Sequence, residues 1–152
     1  MSKSVSSDAE ELLSALDGRG SEAEFSAIEE LRSRNADLAS LLLQHYRQCT
    51  RAGQRASCVY HALRHAPESP DAYRLGLEAA LDRSKHVRYR ACMLLAVAQN
   101  PQAIPTLRQT ALLRGSEQDA AAAIDAIECR NHHYFIDRSH SGQMFLSIGG
   151  AS

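Results

Sequence analysis

Tryptophan is absent from this chain of 152 residues, and five tyrosines and three phenylalanines supply all of its phenol and phenyl rings. A core must therefore be assembled from Leu, Ala and Ile, and a platform for stacking exposed bases is largely missing. No apolar run reaches the roughly 20 residues that a membrane-spanning helix needs. The longest, "LASLLL" and "ACMLLAVA", carry helical periodicity instead. The opening "MSKSVSSDAEELL" has one lysine and then acid, without the apolar stretch of a secretory signal, so the expectation is a cytoplasmic protein with no membrane contact.

Charge of one sign is lacking overall: the net charge is −1. Neutralising a phosphate backbone needs a basic excess, so generic nucleic-acid binding is disfavoured. The charge is unevenly placed, however. Residues 1–38 hold nine Asp/Glu against four Lys/Arg, and residues 39–152 hold nine against thirteen.

Motifs for catalysis are also missing. The chain has no GxSxG elbow, no HExxH helix, no phosphate loop and no dinucleotide fingerprint. Four cysteines, Cys49, Cys58, Cys92 and Cys129, form no CxxC pair and stand beside apolar helical positions, which reads as free buried thiols with no cofactor implied.

What the chain does contain is helix punctuation at close intervals. Ser7 to Glu10 and Ser21 to Glu24 are capping boxes, each ahead of an apolar set: Leu12, Leu13 and Leu16, then Phe25, Ile28 and Leu31. The second pattern places Glu22, Glu29 and Glu30 together on an outer face. Asn35 is a candidate cap for a third helix, and Gly53 separates that helix from a fourth. Ser69-Pro70, Ser84, Asn100-Pro101 and Gly115-Ser116 punctuate the rest, giving eight helices.

A shift of 32 residues superposes Leu43, Leu75 and Leu107, then Cys49, Leu81 and Leu113. Val59, Ala91 and Ala123 align as well, followed by Ala62, Leu94 and Ala126 and by Leu63, Leu95 and Ile127. Such a period implies stacked helical hairpins that bury their faces against one another. The stretch "ALDRSKHVRYRACMLLAVAQNPQAIPTL" then resembles a HEAT repeat, with Asp82, Val87, Arg88 and Ala91 at the matching positions. The resemblance is best over residues 71–128 and weaker over 38–66, where Arg55-Ala56 stands in place of Val-Arg. It implies a right-handed stack of helical hairpins, with Asp82 and Arg88 in a ladder between units and Val87 in the seam.

The tail differs in character. "HYFID" and "QMFLSI" alternate and flank "RSHSG", which predicts a C-terminal β-hairpin closing the stack. The expected fold is therefore all-α with a short β tail: acidic capping helices over 1–34, hairpins over 35–130 and the β-hairpin over 131–150. Cys129, His132, His133, Asp137 and His140 include one tight ligand pair where zinc sites show two, and adjacent strand residues face opposite ways, so no metal is expected. Asp137, Ser139, His140 and Ser141 are too close in sequence for a hydrolytic triad.

By elimination the chain reads as a protein-binding scaffold and not an enzyme. Its size and architecture are similar to those of some small bacterial immunity proteins, which block a cognate toxin's active site. That likeness implies a protein partner met by Glu10, Glu22, Glu29 and Glu30, or by Asp137, Arg138 and His140 at the tail tip. The alternative, a nucleic-acid contact, would use Lys85 and Arg90.

Overall fold

A computed structural model of the chain describes residues 2–34 and 37–148, with side chains from residue 8 onward. Among the described residues eight α-helices follow one another: α1 Ser2–Leu13, α2 Glu22–Ser33, α3 Leu38–Gln48, α4 Ala52–Ala62, α5 Pro70–Ala79, α6 Lys85–Ala98, α7 Ile104–Thr110 and α8 Glu117–Glu128. Short 3₁₀ turns at Leu63–His65, Pro101–Ala103 and His132–Phe135 interrupt the connections.

The helix boundaries follow local chemistry with informative exceptions. Ser69 Oγ accepts the Ala72 amide at 3.2 Å, with Pro70 in the first turn. Asn100 Oδ1 accepts that of Gln102 at 2.9 Å ahead of Pro101. Each such cap contributes about 1 kcal/mol. Helix α1 already runs from Ser2, so the Ser7-to-Glu10 motif lies within it instead of opening it. Asp37 caps α3 by accepting the Ser40 amide at 3.3 Å, while Asn35 lies outside the described residues.

Consecutive helices pair, and the pairs stack so that α3 packs on α5, α4 on α6 and α6 on α8. The 32-residue superposition is visible as burial in four of its five sets; in the other, Cys49 and Leu113 are half-buried and Leu81 is exposed. Leu43, Leu75 and Leu107 are in the core, as are Val59, Ala91 and Ala123, then Ala62, Leu94 and Ala126, then Leu63, Leu95 and Ile127. Central α6 is buried on most sides, including Val87, Cys92, Leu94 and Leu95. Gly76 makes its approach to α5 possible: a Cβ there would meet Leu94 Cδ2 at 2.5 Å.

The predicted β-hairpin is not formed; among the described residues there is no strand. Residues 132–135 instead make a 3₁₀ turn that Asn131 caps, its Oδ1 accepting the His133 amide at 3.0 Å. Phe135 is fully buried, its ring 5.5 Å from that of Tyr89 on α6. Asp137 then folds the chain back by accepting the amides of Ser141 and Gly142 at 3.0 and 2.9 Å and the Ser141 hydroxyl at 2.7 Å. Local carboxylate and amide acceptors capture the backbone donors that a ladder would have used. The apolar alternation expresses burial of one ring against helices, not a pleat.

Candidate functional site

Glu24, on the first turn of α2, is the hub from which the candidate site is built. Its neighbour Ser21 caps the helix as expected, accepting the Glu24 amide at 3.1 Å. The carboxylate does not reach back in the manner of a capping box. Oε1 accepts the amides of Asp17 and Gly18 at 2.9 and 3.0 Å and the Ser57 hydroxyl at 3.0 Å, and Oε2 lies 2.7 Å from His61 Nε2. One buried acid thus ties the α1–α2 turn to the inner face of α4. The turn is packed too tightly for a side chain, because Gly18 has φ +80° and a Cβ there would sit 2.4 Å from Gly53 O.

Burial pushes the His61 imidazole below its ordinary value; Arg32 adds to that shift and Glu24 opposes it. Nε2 faces the carboxylate at hydrogen-bond distance and can donate to it whether the ring is neutral or charged. Ser57, Glu24 and His61 do not make a hydrolytic triad, because the carboxylate stands between hydroxyl and imidazole where the base would have to be.

Outward from this hub lies a cleft of about 290 Å³ lined by Gly18, Arg19, Phe25, Ser57, Tyr60, His86 and Arg90. Phe25 and Tyr60 stand edge to face at 6.4 Å between ring centres and remain 43% and 37% exposed, an uncovered aromatic pair on a chain with few rings. The Arg90 guanidinium lies 5.1 Å over the Tyr60 ring. A second hollow of about 160 Å³ opens on the far side of the same two rings, bordered by Glu29, Arg32 and Arg64. The surface therefore offers two ring edges flanked by arginines on both sides. That combination of aromatic rings and guanidinium groups is enriched at the energetic centres of protein interfaces.

Of the acidic residues named from the sequence only Glu29 lines this surface, and Glu10 lies at a separate hollow between α1 and α3. Glu22, Glu29 and Glu30 are all exposed on α2, and Glu10 is exposed on α1. Glu29 is paired with Arg32 at 3.3 Å and Glu30 with Arg34 at 3.0 Å, which reduces the field they present. Lys85 and Arg90 point to separate places: Arg90 covers Tyr60, and the Lys85 stem lies against Gly115.

Asp82 and Arg88 occupy buried positions, but their side chains do not pair with each other. Asp82 receives Arg55 from the preceding helical pair, the Tyr46 hydroxyl at 2.7 Å and the Ser84 amide at 2.9 Å. Burial alone would raise its carboxyl; the bonds from Arg55, Tyr46 and Ser84 outweigh this and lower it. Arg88 reaches forward to Ser116 Oγ at 2.7 Å and Arg114 O at 2.8 Å, and back to Asp82 O at 2.8 Å. Val87 is fully buried beside it.

At the tail, Asp137 is a buried turn former and offers nothing to a partner. Arg138 pairs with Asp119 at 3.0 Å, and His140 with Asp125 at 2.6 Å while stacking on Tyr134 at 3.8 Å. Both are folded onto α8 and not displayed on a hairpin tip. The supposed triad is also taken apart, since Asp137 holds Ser141 whereas His140 holds Asp125. Of the five tail residues with ligand chemistry, Cys129 and His140 come together with Asp125; His133 Nδ1 accepts the Leu146 amide at 2.9 Å instead.

The aromatic pair and the Glu24 hub were missed in sequence because both look ordinary there. Phe25 falls on an apolar helical position, and Glu24 completes a capping motif. A usable signal was Tyr60-His61, two polar-tipped rings on an otherwise small-residue helix. Comparison with known proteins finds no matching family model, no matching curated protein and no matching solved structure.

Proposed function

We propose that this chain is a non-catalytic protein-binding module whose recognition surface is the Phe25–Tyr60 ridge with Arg19, Arg90, Arg32 and Arg64 around it. The observation that carries this reading is the half-exposed ring pair with a guanidinium stacked on it and a hollow to either side. Aromatic rings lose little conformational freedom on docking and bury large areas, and arginines are enriched beside them at interface hot spots. The interior Glu24 network makes the ridge rigid, so little ordering cost remains to be met on binding.

In its finer form, the partner is a cognate bacterial toxin and the module neutralises it by covering its active site. Supporting this form are the exposed acids Glu10 on α1 and Glu22, Glu29 and Glu30 on α2, the helix that carries Phe25, which can steer a partner with a basic cleft.

The test is co-expression with the product of the adjacent reading frame, followed by calorimetry on the complex. A one-to-one complex is expected, weakened about thirtyfold or more by Phe25→Ala or Tyr60→Ala. Absence of any complex overturns the toxin reading. A complex indifferent to both substitutions overturns the choice of surface.

A further inference from the structure

The cysteines, which read alike as free buried thiols in sequence, differ in their surroundings. Burial pushes the Cys92 thiol up to about 12, so it behaves as a small apolar core residue. Cys49 and Cys58 differ. Cys49 is the C-terminal cap of α3, His45 lies one turn earlier on the same helix, and Cys58 projects from the buried face of α4. The spacing i, i+4 brings His45 and Cys49 to one face, and packing of α3 on α4 supplies the third group. The Cys49 and Cys58 sulfurs and a His45 ring nitrogen all lie within 4.8 Å of one another.

We infer that His45, Cys49 and Cys58 form a binding site for one thiophilic metal ion, of which zinc is the expected occupant, clamping α3 to α4. A tetrahedral zinc site with sulfur and imidazole ligands has ligand-to-ligand edges of about 3.5–3.8 Å, so the cluster needs to contract by only a side-chain adjustment. Two thiolates balance the divalent charge, and the half-buried setting of His45 and Cys49 leaves a fourth position for water. His45 also lines a shallow hollow between α1 and α3, which provides an entry path.

The imidazole beside the two sulfurs makes the cluster a three-ligand set and not a bare thiol pair. The nearby Arg55 does not compete as a free cation, because its guanidinium is closed on Asp82; its Nη1 donates to Cys49 O at 3.4 Å and Thr50 O at 2.9 Å, fixing the end of α3. The cluster of Asp125, Cys129 and His140 is the poorer ligand set. It holds a single sulfur, on an exposed cysteine, and His140 is already bonded to the Asp125 carboxylate.

The full chain, kept reduced with a phosphine, is titrated with zinc against a chromophoric chelator and with cobalt by absorption spectroscopy. One zinc per chain and a thiolate-to-cobalt charge-transfer band are expected. Cys49→Ser and His45→Ala, at half-buried positions, should each weaken binding by at least about tenfold and remove or shift the cobalt band. Cys129→Ala should leave both unchanged. No thiolate-to-cobalt band in the wild-type chain overturns the site. Equal affinity in Cys49→Ser, or binding lost in Cys129→Ala but kept in Cys49→Ser, overturns it as well.

Discussion

Arg55 on α4 closes a bidentate ion pair on Asp82 of the following helical pair, with Nε to Oδ2 at 2.9 Å and Nη2 to Oδ1 at 3.1 Å, the two side chains only 6% and 5% exposed. The contact links successive units through their interior. Its partner groups are complete: Tyr46 and Ser84 fill the remaining acceptor capacity of Asp82, and the Thr50 carbonyl takes another Arg55 donor.

Removing one side of such a pair leaves a buried charge uncompensated. Arg55→Ala should therefore destabilise the protein by about 3–5 kcal/mol. Urea denaturation followed by circular dichroism measures this. A loss under about 1 kcal/mol would mean that water replaces the guanidinium and that the pair is not an inter-unit link.

The His61 environment gives a pH dependence with a definite sign. Its folded value lies below its ordinary 6.5, so the unfolded chain takes up the proton more readily. The stability this group contributes is present above about pH 6.5 and is lost as pH falls through that value toward the folded one. His65, also lowered by burial and Arg32, acts in the same direction. Thermal melts should show Tm dropping between pH 7.5 and 5, with a shallower drop in His61→Gln. Parallel pH profiles for the two proteins would show that His61 is not among the groups responsible.

Asp137 organises the tail through three accepted bonds, and those bonds, chiefly from Ser141, hold its carboxyl below the usual range despite burial. Asp137→Ala should release residues 138–148 while the helical stack persists. Amide hydrogen exchange read by mass spectrometry should show protection at Ser141, Gly142 and Leu146 falling about tenfold or more, with α6 unaffected. Unchanged protection would place the turn's stability in Phe135 and not in the carboxylate.

The helical stack was readable because its signals are local and repeated. Ser69-Pro70 and Asn100-Pro101 mark helix starts through bonds that span two or three residues, and the spacing of Leu43, Leu75 and Leu107 reports one buried face per unit. The tail was misread because "HYFID" satisfies a strand pattern just as well as it satisfies one buried ring flanked by two turn-forming side chains. Deciding between them required knowing that α6 and α8 leave room for Phe135.

The candidate sites were less legible still. Arg55 looked like a departure from the Val-Arg pattern of a HEAT unit, yet it takes the contact with Asp82. Glu24 looked like half of a capping box but turns inward, because four donors from the α1–α2 turn and α4 converge on it. His45, Cys49 and Cys58 carry the spacing H-x3-C-x8-C, whose first part is helical and whose second crosses a turn of unknown angle.

By itself, then, the sequence determined a succession of eight short helices, where most of them begin, and most of the residues that face inward, but not the helical course of the tail. Periodicity, caps and Pro/Gly punctuation act within one turn of backbone and need no partner. Only the tertiary structure decided which side chains meet across units: Glu24 with His61, Arg55 with Asp82, Phe25 with Tyr60, and the two sulfurs with His45. Those meetings depend on how far each helix is rotated and shifted against the next, and that is set by the sum of many weak packing contacts and not by any short motif.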